Sequence, residues 1–201
     1  MKADRLTIHR RWIGFAFIAT AAIAMAVAIE GGAWHAASLT DTVSRKSMPS
    51  FEFRQLNGDV WKLSDHRGQV VLINYWASWC APCWEETPAL VRLSQEMSAS
   101  GVEIVGISMD EGRSEQIDAE VRRFKRALHV TYPIGFPSRM SQMLYALEEL
   151  PTTILVDRQG RAAKIYVGAI REKNVRADIK ALLGEAKPSP GQLVGSVASP
   201  K

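Results

Sequence analysis

The chain has two cysteines in 201 residues, and both lie in one short run, Trp79-Cys80-Ala81-Pro82-Cys83. A C-x-x-C pair points to redox chemistry or to metal binding, and its flanks decide between them. Ahead of it, Val70-Val71-Leu72-Ile73-Asn74-Tyr75-Trp76 is a β-branched and aromatic run with the pattern of a buried strand. Behind it, Leu90, Leu93 and Met97 recur at helical spacing, so the stretch from Cys83 to about Met97 reads as a helix that Pro88 should kink. The pair thus falls at a strand-to-helix turn, where a helix N-terminus lowers the pKa of a thiol. That favours redox. A purely structural disulfide is the weak reading, because closing so short a loop removes little entropy from the unfolded chain.

The opening residues narrow the compartment. Lys2, Arg5, Arg10 and Arg11 precede an apolar run from Ile13 to Ile29, the arrangement of a charged n-region and an h-region. The run is slightly short of the roughly 20 residues that a spanning helix needs, and its small-residue cleavage points are not clean. Residues 1–37 are therefore read as a signal peptide or membrane anchor, with the uncleaved anchor favoured. Either way the basic end stays inside and the rest of the chain leaves the cytoplasm. The expected location is periplasmic or extracytoplasmic, tethered to the inner membrane. Outside the cytoplasm thiols oxidise unless something holds them reduced.

The net charge is +4, and setting aside residues 1–37 (Lys2, Arg5, Arg10 and Arg11 against Asp4 and Glu30) leaves +2. A near-neutral domain gives no electrostatic case for nucleic acid. Residues 38–47 are polar and read as a linker, 48–185 as the folded domain, and 186–201, rich in Pro, Ser and Gly, as a disordered tail. Within the domain, Phe51-Glu52-Phe53 and Val60-Trp61-Lys62-Leu63 alternate around Asn57-Gly58, which predicts a hairpin with a type I′ turn. Further strands are expected at 102–107, 153–156 and 161–167, and helices at 115–128, 138–148 and 172–183. This order predicts an α/β fold with a central mixed β-sheet flanked by helices, an N-terminal β-hairpin and a helical insertion.

Two segments far apart in the chain now carry a resemblance. Asn74-Tyr75-Trp76-Ala77-Ser78-Trp79-Cys80-Ala81-Pro82-Cys83-Trp84-Glu85-Glu86-Thr87-Pro88 and Leu150-Pro151-Thr152-Thr153 resemble the thioredoxin fold, specifically the TlpA/ResA-like family of exported thiol–disulfide oxidoreductases. The likeness covers roughly residues 48–184. It implies that Cys80 is the exposed attacking thiol and Cys83 the buried resolving one. It also implies that Pro151 is cis, placing the Leu150 backbone beside the sulfurs to pair with a substrate strand. Trp79, Ala81 and Pro82 would form the substrate-facing rim, with Trp76 in the core. Where thioredoxin carries a buried Asp, this chain has Asn74, which cannot titrate. The family pattern instead has a Glu three residues after the second cysteine, and Glu86 stands there. Positions i and i+3 share a helix face, so Glu86 can approach the thiols and move a proton during exchange. Glu85 is expected to face solvent.

Other signals are weaker. Arg122, Arg123, Lys125 and Arg126 read as a solvated helix face, with docking of an acidic partner as the alternative. His66 and His129 have no ligand partner in the sequence. Met140 and Met143 together with the thiols could hold copper(I), although at helical spacing methionines are more often core. A thiol peroxidase would carry Pro and Thr or Ser seven and three residues before its reactive cysteine, and Ile73 and Ala77 stand there instead.

The reading is an exported enzyme that reduces disulfides in partner proteins by dithiol exchange. The resemblance extends to proteins that mature cytochrome c or oxidase copper sites. No cofactor is expected. Its partners would be protein disulfide substrates and a membrane electron donor that keeps the dithiol reduced. The alternative is a copper-binding or copper-delivery module built on the same thiols.

Overall fold

The computed structural model describes residues 38–42, 44–49, 51–111, 114–137 and 149–186. The expected leader, the expected helix over 138–148 with Met140 and Met143, and all of the expected tail except Ala186 lie outside the described residues.

The described sheet opens with the hairpin β1 (Glu52–Gln55) and β2 (Val60–Lys62). Its turn differs from the type I′ expectation. Gly58 alone has a positive φ, of 93°, and its N–H donates to the Gln55 carbonyl at 2.9 Å, while Gln55 N–H donates to Asp59 O at 2.8 Å. The loop is therefore a three-residue turn with a left-handed glycine at its end. Asn57 contributes through its side chain, whose Oδ1 accepts from Asp59 N–H at 3.1 Å.

The fully buried β3 (Val70–Trp76) leads directly to the cysteines and into α1 (Ala81–Met97), which runs through Pro88. There follow β4 (Val102–Ser108), α2 (Ser114–Ala127), β5 (Ile134–Pro137), β6 (Thr152–Val156), β7 (Ala162–Val167) and α3 (Glu172–Gly184). The sheet order is β2-β1-β5-β4-β3-β6-β7. It is mixed: β3 pairs parallel with β4 and antiparallel with β6.

Burial of β3 on both faces follows from its composition, and its alternation divides the core in two. Leu72 and Trp76 join one cluster with Cys80, Cys83, Leu90 and Leu93 of α1, Phe124 of α2, and Val175, Ile179 and Leu182 of α3. Ile73 and Tyr75 face the other way, toward Phe53, Trp61, Val105, Ile107 and Ile154. Trp76 stacks on Phe124 with ring centroids 3.9 Å apart, and Trp84 meets the same ring edge-on at 4.8 Å. Arg122, from the basic run of α2, reaches back to the hairpin turn and donates to Leu56 O at 2.8 Å.

Two features depart from expectation. Strand β5 was not expected, because Ile134-Gly135-Phe136-Pro137 carries neither alternation nor a β-branched run. It exists through its neighbours, pairing antiparallel with β1 and parallel with β4. Gly135 permits the contact, since a Cβ there would collide with the Arg54 carbonyl oxygen. Within the segment read as a linker, Thr40, Arg45 and Lys46 are bonded to the domain, and the compact unit begins at Leu39. Arg45 is buried and grips Glu185 through Nη1 and Nη2 at 2.8 and 2.7 Å, with Nη1 also 3.2 Å from Asp157 Oδ2. Backbone bonds from Thr40 N–H to Ala163 O and from Ala162 N–H to Lys46 O hold the same segment to β7. A buried ion pair with this many partners was hidden in a polar stretch.

The β1–β5 approach is testable. Gly135→Ala should lower stability by about 1–3 kcal/mol in urea unfolding, the usual cost of forcing atoms into a packed site. Gly184→Ala, where a Cβ meets nothing within 4 Å, is the matched control and should not destabilise. An unchanged urea midpoint for Gly135→Ala would contradict the pairing.

Candidate active site

The turn that carries the cysteines is held from both sides. Residue 76 ends β3, and parallel pairing sets Trp76 opposite Ser108, so the chain beyond β4 runs beside the turn. There Asp110 accepts from Ser78 N–H at 3.0 Å and from the hydroxyls of Ser78 and Ser108 at 2.6 and 2.7 Å. From the other side, Trp84 Nε1–H donates to Ser78 O at 2.8 Å. Cys80 precedes the first helical residue with an extended backbone (φ −84°, ψ 104°), and its carbonyl accepts from Cys83 N–H at 3.1 Å. Pro82 sits in the first turn, where a missing N–H leaves no helical bond unmade.

Cys80 and Cys83 are joined in a disulfide, with Cα atoms 5.3 Å apart. In this state Cys83 is fully buried and Cys80 is only 4% exposed. That corrects the expectation of an exposed Cys80. The surface around the pair is supplied by Trp79, 70% exposed, and by exposed Ala81 and Pro82. Trp76 is core. The Leu150–Pro151 bond is cis. Tyr75 pairs with Thr152, which sets Pro151 at the end of β3 from which the cysteine turn departs. Leu150 packs against the cluster that contains both cysteines.

Glu86, one turn beyond Cys83, is 3% exposed, whereas Glu85 beside it faces solvent. Glu86 Oε1 accepts from Asn74 Nδ2 at 2.7 Å and Oε2 accepts from the Ile170 N–H at 2.7 Å. Burial raises its pKa above the ordinary 4.5, and the two donors oppose that rise without cancelling it. Nearby negative charge is not the cause. The influence runs outward instead: the buried Tyr132 hydroxyl is pushed up by desolvation first and by the Glu86 charge second.

Asp110, Ile170 and Tyr132 belong to this neighbourhood and were not found from sequence. Each arrives from a distant segment, and only the parallel pairing of β4 with β3 hints at Asp110. The two described histidines lie elsewhere. His66 stacks on Trp61 at 4.6 Å, and His129 ends the α2 region with a positive φ of 52°. Ile73 and Ala77, the positions tested for a peroxidase pattern, are buried and apolar. Among the described residues no three His, Cys, Asp or Glu side chains gather as a metal cluster, and no helix is long and apolar enough to cross a membrane.

A C-x-x-C disulfide at the strand-to-helix turn after β3, with a cis-proline ahead of the neighbouring β6, marks a thioredoxin-fold thiol–disulfide oxidoreductase, and comparison with known proteins agrees. The chain belongs to the AhpC/TSA family, whose model matches residues 45–178. It is 31% identical over 136 residues to the thiol–disulfide oxidoreductase ResA of Geobacillus thermodenitrificans, covering 67% of this chain and 75% of that protein. ResA of Bacillus subtilis is 30% identical over 128 residues, covering 63% and 69%. Among solved structures, a secreted thiol–disulfide isomerase from Corynebacterium glutamicum superposes with a TM-score of 0.64 at 27% identity, over 73% of this chain and 91% of that one. A Chlorobium tepidum structure assigned as the thiol:disulfide interchange protein DsbE gives 0.61 at 28% identity, over 70% and 97%.

The raised pKa of Glu86 has a sign that stability measurements can read. The folded protein holds this proton more tightly than the unfolded chain does. Stability therefore falls as pH rises from about the ordinary value of 4.5 up to the raised one, and is level above it. The difference in unfolding free energy between the parent and Glu86→Gln should move against the parent across that window. A difference that stays flat, or that moves in the parent's favour, would contradict the assignment.

Proposed function

We propose that this protein is an extracytoplasmic disulfide reductant, tethered to the membrane through the segment ahead of residue 38, with Cys80 as nucleophile and Cys83 as resolving thiol. The observation that carries the reading is the placement of the pair: Cys80 stands at the N-terminus of α1 while Cys83 is buried one turn inside it. Backbone N–H groups and the helix dipole favour a thiolate at Cys80. That thiolate attacks a sulfur of the partner's disulfide, and the partner's other sulfur leaves as a thiolate. Cys83 then attacks Cys80 Sγ, breaks the mixed disulfide, and releases the second partner thiolate. Two electrons pass to the partner, and Cys80–Cys83 ends oxidised. A membrane electron donor returns it to the dithiol.

Trp79, Ala81 and Pro82 form the rim against which the partner segment lies, and the Leu150 backbone beside Pro151 pairs with it. The substrates are partner cysteine pairs that must be reduced before haem or copper is attached, as in cytochrome c or oxidase copper-site maturation. The secreted relative from Corynebacterium glutamicum supports the location, and the apolar run from Ile13 to Ile29 supports the tether.

The direction of transfer follows from charge. Ala81 and Pro82 place no cation between the cysteines, and Glu86, three residues from Cys83 on the same helix, adds a carboxyl. Both disfavour the strongly stabilised thiolate that makes an oxidant. Glu86 takes the proton that Cys83 sheds as it attacks.

Equilibration with glutathione should place the Cys80–Cys83 couple nearer about −250 mV than the about −120 mV of DsbA-type oxidants. A value above about −150 mV would reverse the proposed direction. In the native host, Cys83→Ser should accumulate mixed disulfides with its substrates through Cys80, and Cys80→Ser should accumulate none. Equal trapping by the two variants would overturn the assigned roles.

A further inference from the structure

Strand β3 carries one amide among apolar and aromatic side chains, Asn74, and it is 1% exposed. The amide is only half satisfied. Nδ2 donates to Glu86 Oε1 at 2.7 Å and to Thr153 Oγ1 at 2.9 Å, while Oδ1 is buried with no hydrogen-bond partner. An orphaned buried acceptor costs stability, and a leucine of similar size would occupy the site without that cost. Packing therefore does not explain the residue. What an apolar side chain would lose is the donor, and the donor is aimed at a carboxyl.

An ionised Glu86, which can only accept, sets which way the amide faces. Thr153 Oγ1 accepts from the same Nδ2, so the two acceptors converge on the nitrogen end. Turning the amide over would set its carbonyl against the Glu86 carboxylate. The arrangement suits an ionised Glu86, the form that can receive a proton.

We propose that Asn74 is a positioning residue for disulfide exchange: its amide, anchored by Thr153, holds Glu86 Oε1 and sets the pH at which Glu86 can take the resolving thiol's proton. The inference rests on the proton role given to Glu86 above. In the step concerned, Cys83 attacks Cys80 Sγ of the mixed disulfide and its proton passes to a Glu86 oxygen. The Cys80–partner bond breaks as the Cys80–Cys83 bond forms, and the partner sulfur leaves with the electron pair.

Few groups compete for this control. On α1 Cys83 stands three residues before Glu86 and Glu85 beside it faces solvent, and from the segment before β5 the Glu86 charge reaches Tyr132. The Ile170 N–H, ahead of α3, is the second donor to the carboxylate. Burial dominates and favours the neutral acid, and no lysine, arginine or histidine contributes to the Glu86 shift. Without Asn74, the Ile170 N–H is left as the sole donor opposing burial.

The test uses the full chain, reduced, with a disulfide-bonded peptide as probe and exchange rates measured from pH 5 to 9. The parent should show an inflection that Glu86→Gln abolishes. Asn74→Leu should move that inflection upward by about one pH unit, the scale of losing one hydrogen bond to a charged group. Adding Asn74→Leu to Glu86→Gln should change the pH profile no further, because the two act through one group. Should Asn74→Leu fail to fold, Thr153→Val releases the amide's anchor and should shift the inflection the same way, with Thr153→Ser returning it toward the parent. An inflection that stays in place when Asn74 or its anchor is changed overturns this inference and leaves Glu86 its role. An inflection that survives Glu86→Gln overturns the role of Glu86, and this inference with it.

Discussion

A carboxyl group held out of water joins the parts of this molecule that have to act together. Glu86 belongs to α1, accepts from Asn74 of β3 and from the Ile170 N–H just ahead of α3. An ionised carboxylate in such a place would be prohibitive without donors, and with two it becomes tolerable while keeping a raised pKa. The same contacts set the position of α1 against β3. Because Cys80 caps α1 and Cys83 lies in its first turn, the carboxyl proposed to move the proton and the sulfurs it would serve are fixed by one helix.

The rest of the fold supports that helix. β3 is buried on both faces, so its end is a rigid point from which the cysteine turn departs. Parallel pairing with β4 brings Asp110 to the turn, where a single carboxylate collects the Ser78 backbone and hydroxyl donors. Antiparallel pairing with β6 brings Pro151 to the same end. Aromatic packing of Trp76, Phe124 and Trp84 closes the base of the helix. Asp157, at the turn of β6 into β7, and Glu185, at the end of α3, clasp Arg45 and so fasten the entering chain to the last helix.

What could be read from the sequence was local. The buried strand, the helix start and the adjacent thiols lie within about one strand and one helix turn of each other, and the i, i+3 relation set Glu86 on the helix face of Cys83, while its proton role came from the resemblance. Interactions across the chain were illegible for the same reason. Gly135 shows its purpose only when the Arg54 carbonyl is beside it. Arg45 looks like any charged residue of a polar segment until Asp157 and Glu185 surround it. Asn74 could be recognised as unable to titrate, but not as the donor to a neighbour twelve residues away. The hairpin was legible as a hairpin, yet Asn-Gly suits more than one turn, and the left-handed conformation is taken up by Gly58 without Asn57.

The account depends on Glu86 holding its proton above the ordinary carboxylate range inside the folded, oxidised protein. Carbon-13 NMR of the Glu86 side-chain carboxyl, followed through a pH titration and assigned by comparison with Glu86→Gln, measures this directly. The account predicts a midpoint clearly above 4.5. A Glu86 midpoint at or below 4.5 would contradict it, because the carboxyl would then be a stabilised anion with no proton to exchange near neutral pH.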